Sequence, residues 1–195
     1  MNLLGSVAGW IVGGILGGIL LIVLLIALYV WSVYNSLIKM RNNVEEGFST
    51  MDVYMKKRYD LVPNLVETVK GYAKHEKEAL TSVIEARNLA MTATDPKAKA
   101  NAENKLTESL KTIFALSENY PQLQANANFL DLQNQLKSLE NDIANARKYY
   151  NAVVKEYNNG IQVFPRNIIA KKFNFEKKDM FEIVEQHREN VKVQF

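Results

Sequence analysis

The chain has no cysteine, which excludes disulfides, thiolate nucleophiles and Cys-ligated metals while leaving the redox compartment open. It has no charged side chain and no histidine before Lys39, so all 24 basic and 21 acidic residues lie between positions 39 and 195. There are only two histidines. His75 sits in AKHEKE and His187 in EQHRE; neither forms H-E-x-x-H, and both read as surface residues. A phosphate-binding G-x-x-x-x-G-K-[ST] loop is missing, as are a nucleophile elbow and the E-x-x-H pattern of carboxylate-bridged bundles. Carboxylate pairs such as Glu67/Glu76 lack any such pattern. A net charge of +3 is too small to argue for nucleic acid. The expectation is therefore a protein that is not an enzyme, with no cofactor, no metal and no nucleic-acid partner. No stretch alternates at period two over strand length, which makes the expected fold all-α.

What is present first is apolar. From Trp10 to Trp31 the chain reads WIVGGILGGILLIVLLIALYVW, 22 residues without a charge, enough to cross a hydrocarbon core of about 30 Å as a helix. Trp10 marks one interface and Tyr29, Trp31 and Tyr34 the other. The run lacks a basic n-region and an A-x-A site, and it exceeds the about 7–15 apolar residues of a cleaved leader, so it reads as a signal-anchor. Its N-terminal flank is uncharged and its C-terminal flank carries Lys39 and Arg41. The positive-inside rule then leaves the N-terminus outside and the remainder in the cytoplasm. Six of the nine glycines fall in the first 18 residues. Gly13 and Gly17 share one helix face, the small-xxx-small pattern of helix association in lipid, although glycine is also simply common in membrane helices.

Beyond the anchor, apolar residues recur in steps of three and four, the heptad spacing of coiled-coil packing. Tyr34, Leu37, Val44, Phe48, Met51, Met55 and Val62 form one such run; Phe129, Leu132, Leu136, Leu139, Ile143, Ala146, Tyr150, Val153 and Tyr157 form another. Breakers at Pro63, Asp95-Pro96, Pro121 and Gly160 divide the chain into helices of about 35–60, 63–93, 97–119 and 124–160. Short connections favour an antiparallel, near up-and-down four-helix bundle behind a single N-terminal transmembrane helix. The residues alone leave Pro63 as either a turn or a kink in one long helix. The organisation expected is residues 1–38 as tail and anchor, 39–160 as bundle and 161–195 as a basic, aromatic tail.

With four alternating helices the fourth ends back at the membrane. There Lys171 and Lys172 alternate with Ile168, Ile169 and Phe173. Such a segment fits an anionic lipid surface; it fits slightly better as a cap in which Ile168, Ile169 and Phe173 close the bundle and the lysines are solvated. Arg58, Arg87 and Arg147 stand at core-like positions, with Glu140 available to pair. Buried arginines need carboxylates, and such networks more often fix register than carry chemistry. Residues 96–119, with PKAKANAENK, read as a mostly polar surface.

RYDLVPNLVETVKGYAKHE (58–76), EARN (85–88), YPQLQANANFLDLQNQL (120–136), ENDIANARKYYNAVVKEYN (140–158) and FPRNIIAKKF (164–173) together resemble the LemA family of bacterial membrane proteins. The resemblance runs from about Tyr34 to Phe175 and weakens after Glu176. It implies an N-terminal anchor with the N-terminus outside, a near up-and-down four-helix bundle in the cytoplasm, and a turn at Pro63. It carries no catalytic or ligand-binding residues. Relatives encoded near a membrane metalloprotease, and a branch serving magnetosome membranes, imply membrane organisation or quality control. The expected role is a scaffold or adaptor at the bacterial cell membrane, with the lipid bilayer and another membrane-associated protein, or a second copy, as partners. A membrane-tethered sensor binding a small ligand or lipid is the alternative.

Overall fold

In the computed structural model, which describes residues 3–181, no strand occurs among the described residues and every regular element is a helix. These are α1 (Leu3–Tyr72), α2 (Lys77–Thr92), α3 (Pro96–Ser117), α4 (Pro121–Gln124), α5 (Ala127–Gln162) and α6 (Arg166–Lys172). The all-α expectation holds, and α1 contains the one segment among the described residues that is long and apolar enough to cross a membrane. Its side chains from Val12 to Leu28 are all exposed, and Val33 is the first buried residue after them. A helix apolar on every face and left uncovered by the described residues is suited to an apolar solvent.

The break expected at Pro63 does not occur. α1 continues through Pro63 and ends at Tyr72. Proline has no N–H to give the carbonyl four residues back, so the Tyr59 carbonyl loses its helical donor. Arg87 of α2 replaces that donor, its Nε lying 2.7 Å from the Tyr59 oxygen. The helix stops nine residues later, at Tyr72, for a different reason. After Val69 and Ala73, both buried, the next positions on that face are Glu76 and Lys77, and the apolar stripe ends.

The later ends follow ordinary capping. Asp95 caps α3, accepting from the Ala98 N–H at 3.0 Å, with Pro96 in the first turn where its missing N–H costs nothing. Asn126 caps α5 by accepting from the Phe129 N–H at 3.0 Å, and its amide donates to the Tyr72 hydroxyl at 3.0 Å.

The chain divides into two compact units. The first joins residues 1–42 with 156–177. Within it Val33 and Leu37 of α1, Tyr157 and Ile161 of α5, and Ile169 and Ala170 of α6 are buried. Gly160 permits close approach here: a Cβ at that position would stand 2.9 Å from the Met40 Sδ and 3.6 Å from the Leu37 Cδ2. α6 ends in a Schellman turn. Asn174 is left-handed (φ 56), the Phe175 N–H reaches the Ala170 carbonyl at 2.9 Å, and the Asn174 N–H reaches that of Lys171 at 3.4 Å. That reversal places the rings of Phe173 and Phe175 at 4.9 Å and 5.8 Å from the ring of Tyr34. The Tyr157 hydroxyl donates to the Glu176 carbonyl at 2.9 Å.

The second unit comprises residues 43–155 and resumes at Lys178. Its interior is built from Met51, Met55, Val62, Leu65 and Val69 of α1, Leu80, Val83 and Ala90 of α2, Leu106, Leu110 and Ile113 of α3, and Phe129, Leu132, Leu136 and Ile143 of α5. The heptad runs read from the sequence thus point inward. Residues 179–181 are fastened to α5: the Asn151 side-chain amide exchanges two hydrogen bonds with the Phe181 backbone (2.8 and 3.0 Å), and the Tyr150 hydroxyl donates to the Asp179 carbonyl at 2.9 Å.

Candidate functional site

Among the described residues, the densest collection of buried polar chemistry lies in the second unit around Arg58. This residue occupies an apolar position of α1, between Met55 and Val62, and its side chain is wholly buried. One guanidinium nitrogen donates to Glu103 of α3. The other donates to Glu140 of α5 at 2.5 Å and to Thr107 at 2.9 Å. Glu103, also fully buried, accepts on its second oxygen from the Tyr59 hydroxyl. Burial first, and then the Glu103 charge, push the Tyr59 phenol far above its ordinary value, so it stays a donor. Glu140 is 41% exposed, which screens its share of the pairing. The Glu103 arm is the one that neutralises Arg58 in the interior.

Of the polar network expected from sequence, the structure joins Arg58 to Glu140 directly. Arg87 does other work, at the carbonyl that Pro63 orphans. Arg147 lies over the Phe181 ring, 5.4 Å from its centroid. Burial lowers the Arg147 pKa, and Glu140 partly offsets that effect.

The members that sequence reading missed are Tyr59, Thr107 and above all Glu103. Residues 96–119 are not a mostly polar surface: Lys99, Ala100, Ala102, Glu103, Leu106, Leu110, Ile113 and Ser117 are buried. The signal was available, because stepping back from Ile113, Leu110 and Leu106 by the same three and four residues lands on Glu103 and Lys99. Lys99 pairs with Asp52 at 2.6 Å, and Lys56 reaches the other Asp52 oxygen at 3.0 Å.

The remaining sequence-designated residues are placed as follows. Trp10, Tyr29 and Trp31 are exposed on α1, while Tyr34 is stacked as described. Lys39 is exposed, and the Arg41 guanidinium lies 5.8 Å from the centroid of the Phe175 ring. Nothing stands within 4 Å of a Cβ built on Gly13 or Gly17, so that face of α1 is open. The capping trio separates: Ile169 turns inward, Ile168 is 60% exposed, and Phe173 is half covered. Ile168 cannot be a cap, because on a helix it points about 100° away from Ile169. Lys171 and Lys172 are solvated. His75 is exposed, and His187 lies outside the described residues. No group of three or more metal-ligating side chains occurs among the described residues. A groove of about 520 Å³ in the second unit is lined by Lys111, Phe114, Glu118, Phe129, Leu130 and Gln133 among others.

Comparison with known proteins adds relatives to this geometry. The model of the LemA family matches residues 47–195, so the match includes the residues after Glu176, where the resemblance read from the sequence was weaker. Protein LemA of Metamycoplasma hominis is 24% identical over 161 residues, covering 80% of this chain and 72% of its own. Magnetosome protein MamQ 2 and Magnetosome protein MamQ 1 of Paramagnetospirillum magneticum are each 24% identical over 175 residues, covering 76% of this chain. The match spans 64% of the length of those two magnetosome proteins.

Proposed function

The chain belongs to the LemA family, and we propose that it is a single-pass, membrane-anchored scaffold or adaptor without catalytic activity, its helical part in the cytoplasm. The observation that carries this reading is that the ionisable groups around Arg58 pair with one another. Arg58, Glu103, Tyr59, Glu140 and Thr107 are joined by hydrogen bonds, and the Arg58 Nε is the one buried nitrogen among them left without a partner. A set paired in this way fixes how helices pair and presents no poised acid, base or nucleophile.

The helices beyond the anchor are read as an antiparallel bundle, from the order of their contacts. On α1 and α3 the paired positions rise together, Asp52 with Lys99 and Arg58 with Glu103. On α1 and α5 they run oppositely, Phe48 with Tyr150, Arg58 with Glu140 and Tyr72 with Asn126. On α2 and α3, joined by a short turn, Ser82 meets Ser109 at 3.4 Å. Lys39 and Arg41 directly after the apolar span support a cytoplasmic bundle.

Crosslinking of the full chain in native membranes, followed by identification of what is attached, tests the adaptor reading. A reproducible protein partner, or a second copy, is the expected result. A second reading, a ligand-binding sensor, is favoured by the groove that places Phe114, Phe129 and Leu130 beside Lys111. It requires that a lipid or small metabolite raise the melting temperature of the full chain in detergent, with no protein recovered by crosslinking.

A further inference from the structure

The first unit contains an apolar corner that none of the described residues covers. Between α5 and α6, Val163 and Phe164 are 58% and 76% exposed, and Ile168 follows at 60%. Lone exposed apolar side chains are ordinary on a protein surface. Three within six residues, one of them an aromatic on a turn, form a patch of the kind that marks a contact. Arg166, Lys171 and Lys172 flank them, and no acidic residue occurs between Glu156 and Glu176.

The position of the corner identifies what it meets. Gly160 of α5 abuts Leu37 and Met40 of α1, and Tyr157 feels the charge of Arg41. Later residues of α5 therefore face earlier residues of α1. α5 ends two residues past Gly160, at Gln162, and Val163 and Phe164 follow on the turn to α6. α6 then holds Phe173 against Tyr34. Trp31 lies less than one helical turn from these contacts and closes the apolar span. Tryptophan and tyrosine at such a point sit at headgroup depth.

We propose that the Val163–Phe164 corner, with Ile168, is a second membrane contact that inserts into the headgroup region of an anionic bilayer beside the anchor. Arg166, Lys171 and Lys172 meet the lipid phosphates, and Ile169 and Ala170 hold α6 to the first unit. Apolar tips flanked by basic residues bind interfaces through buried area and attraction to anionic lipid together. The contact adds a second point of attachment beside the anchor. It rests on the reading that α1 spans the bilayer, and the experiment separates the two.

Because the chain has no cysteine, single cysteines can be labelled cleanly with an environment-sensitive fluorophore. The full chain is reconstituted in phosphatidylcholine vesicles with and without phosphatidylglycerol, carrying nitroxides at shallow or deep positions of the lipid. Three variants are compared: Val163→Cys, Ile22→Cys in the apolar span, and His75→Cys as the aqueous control. The expected result is shallow quenching at position 163, stronger with phosphatidylglycerol, deep quenching at 22, and none at 75. In an Arg166→Gln/Lys171→Gln/Lys172→Gln background the dependence on phosphatidylglycerol at 163 is lost. If 163 behaves like 75 while 22 is quenched, the second contact is overturned and the anchor stands. If 22 is not quenched, the anchor reading fails and takes the proposal with it. A label at 163 shielded from aqueous iodide but untouched by lipid nitroxides means that a protein covers the corner, which also overturns the proposal.

Discussion

Replacing Arg58 by methionine keeps most of the volume at the centre of the second unit but removes the cation facing Glu103. The glutamate is fully buried and then has only the Tyr59 hydroxyl. Stranding one member of a buried pair costs about 3–5 kcal/mol, far more than losing the partly exposed Glu140 arm, which is worth about 0–1 kcal/mol at a surface. Arg58→Met is therefore expected to lower the denaturation midpoint of the full chain in detergent by an amount in that larger range. Arg58→Met/Glu103→Met should recover much of it, since apolar residues of similar volume replace buried pairs at little cost. A double variant no better than the single would show that the cluster contributes more than neutralisation. The pH dependence belongs to the same residues. Burial, then Glu103, raises the Tyr59 pKa, and burial, then Asp179, raises that of Tyr150. A raised value means that this stabilisation is complete below the ordinary tyrosine pKa of about 10 and is lost as pH climbs above it. At Asp52, burial alone would raise the pKa, but hydrogen bonds from Lys99 and Lys56 outweigh it and the net shift is downward. Its contribution is present above about pH 4 and lost as pH falls further. Melting temperatures followed from pH 3 to 12 should therefore decline at both ends, and Tyr59→Phe should soften the alkaline decline.

Among the elements, α1 departs furthest from what its sequence suggests. A proline after twenty-odd helical residues beyond an anchor reads as a boundary, and the residues that decide otherwise lie in α2. Arg87 supplies the donor that Pro63 cannot, a compensation from a distant segment that local spacing does not reveal. The heptad positions of α1 and α5, by contrast, were legible because their burial depends on periodicity alone, and the observed interior follows them. Glu103 sits in the same periodic frame, but a lone charge there reads as surface. Its partner Arg58, 45 residues away, is what permits the exception. The α6 segment was half legible: its apolar residues were visible, but which of them turn inward depends on where α6 begins. The compensation at Pro63 can be measured. Arg87→Met leaves the Tyr59 carbonyl without a donor and is expected to cost about 1–3 kcal/mol. In the Pro63→Ala background the backbone N–H returns, the ladder closes, and the same change should cost clearly less. A double-mutant cycle reads the difference as coupling between the two positions. Equal costs in both backgrounds would mean that Arg87 acts through some other contact.

For the whole molecule, the two units and the apolar span pose questions of side and number. If Lys39 and Arg41 hold the C-terminal flank inside, a cysteine at exposed His75 should escape a membrane-impermeant thiol reagent in intact cells and react once the membrane is opened. Reaction in intact cells would invert the topology. Number turns on the face of α1 that carries Gly13 and Gly17. Where α1 lies in lipid, no hydrophobic force drives helices together, since acyl chains are as apolar as leucine; close backbone contact is what associates them. Two glycines four apart offer such a contact surface, and among the described residues nothing stands within 4 Å of a Cβ at either. If a second copy of α1 packs there, the small residues would align in a right-handed crossing. Crosslinking in membranes is expected to trap a dimer of the native chain, and Gly13→Leu/Gly17→Leu, which fills the face with branched side chains, should abolish it. The paired substitution Ile15→Ala/Ile22→Ala, on the opposite side of the helix, should leave the dimer intact. A dimer that survives the leucine pair would place the seam elsewhere, and glycine would then be present in α1 only because lipid tolerates it.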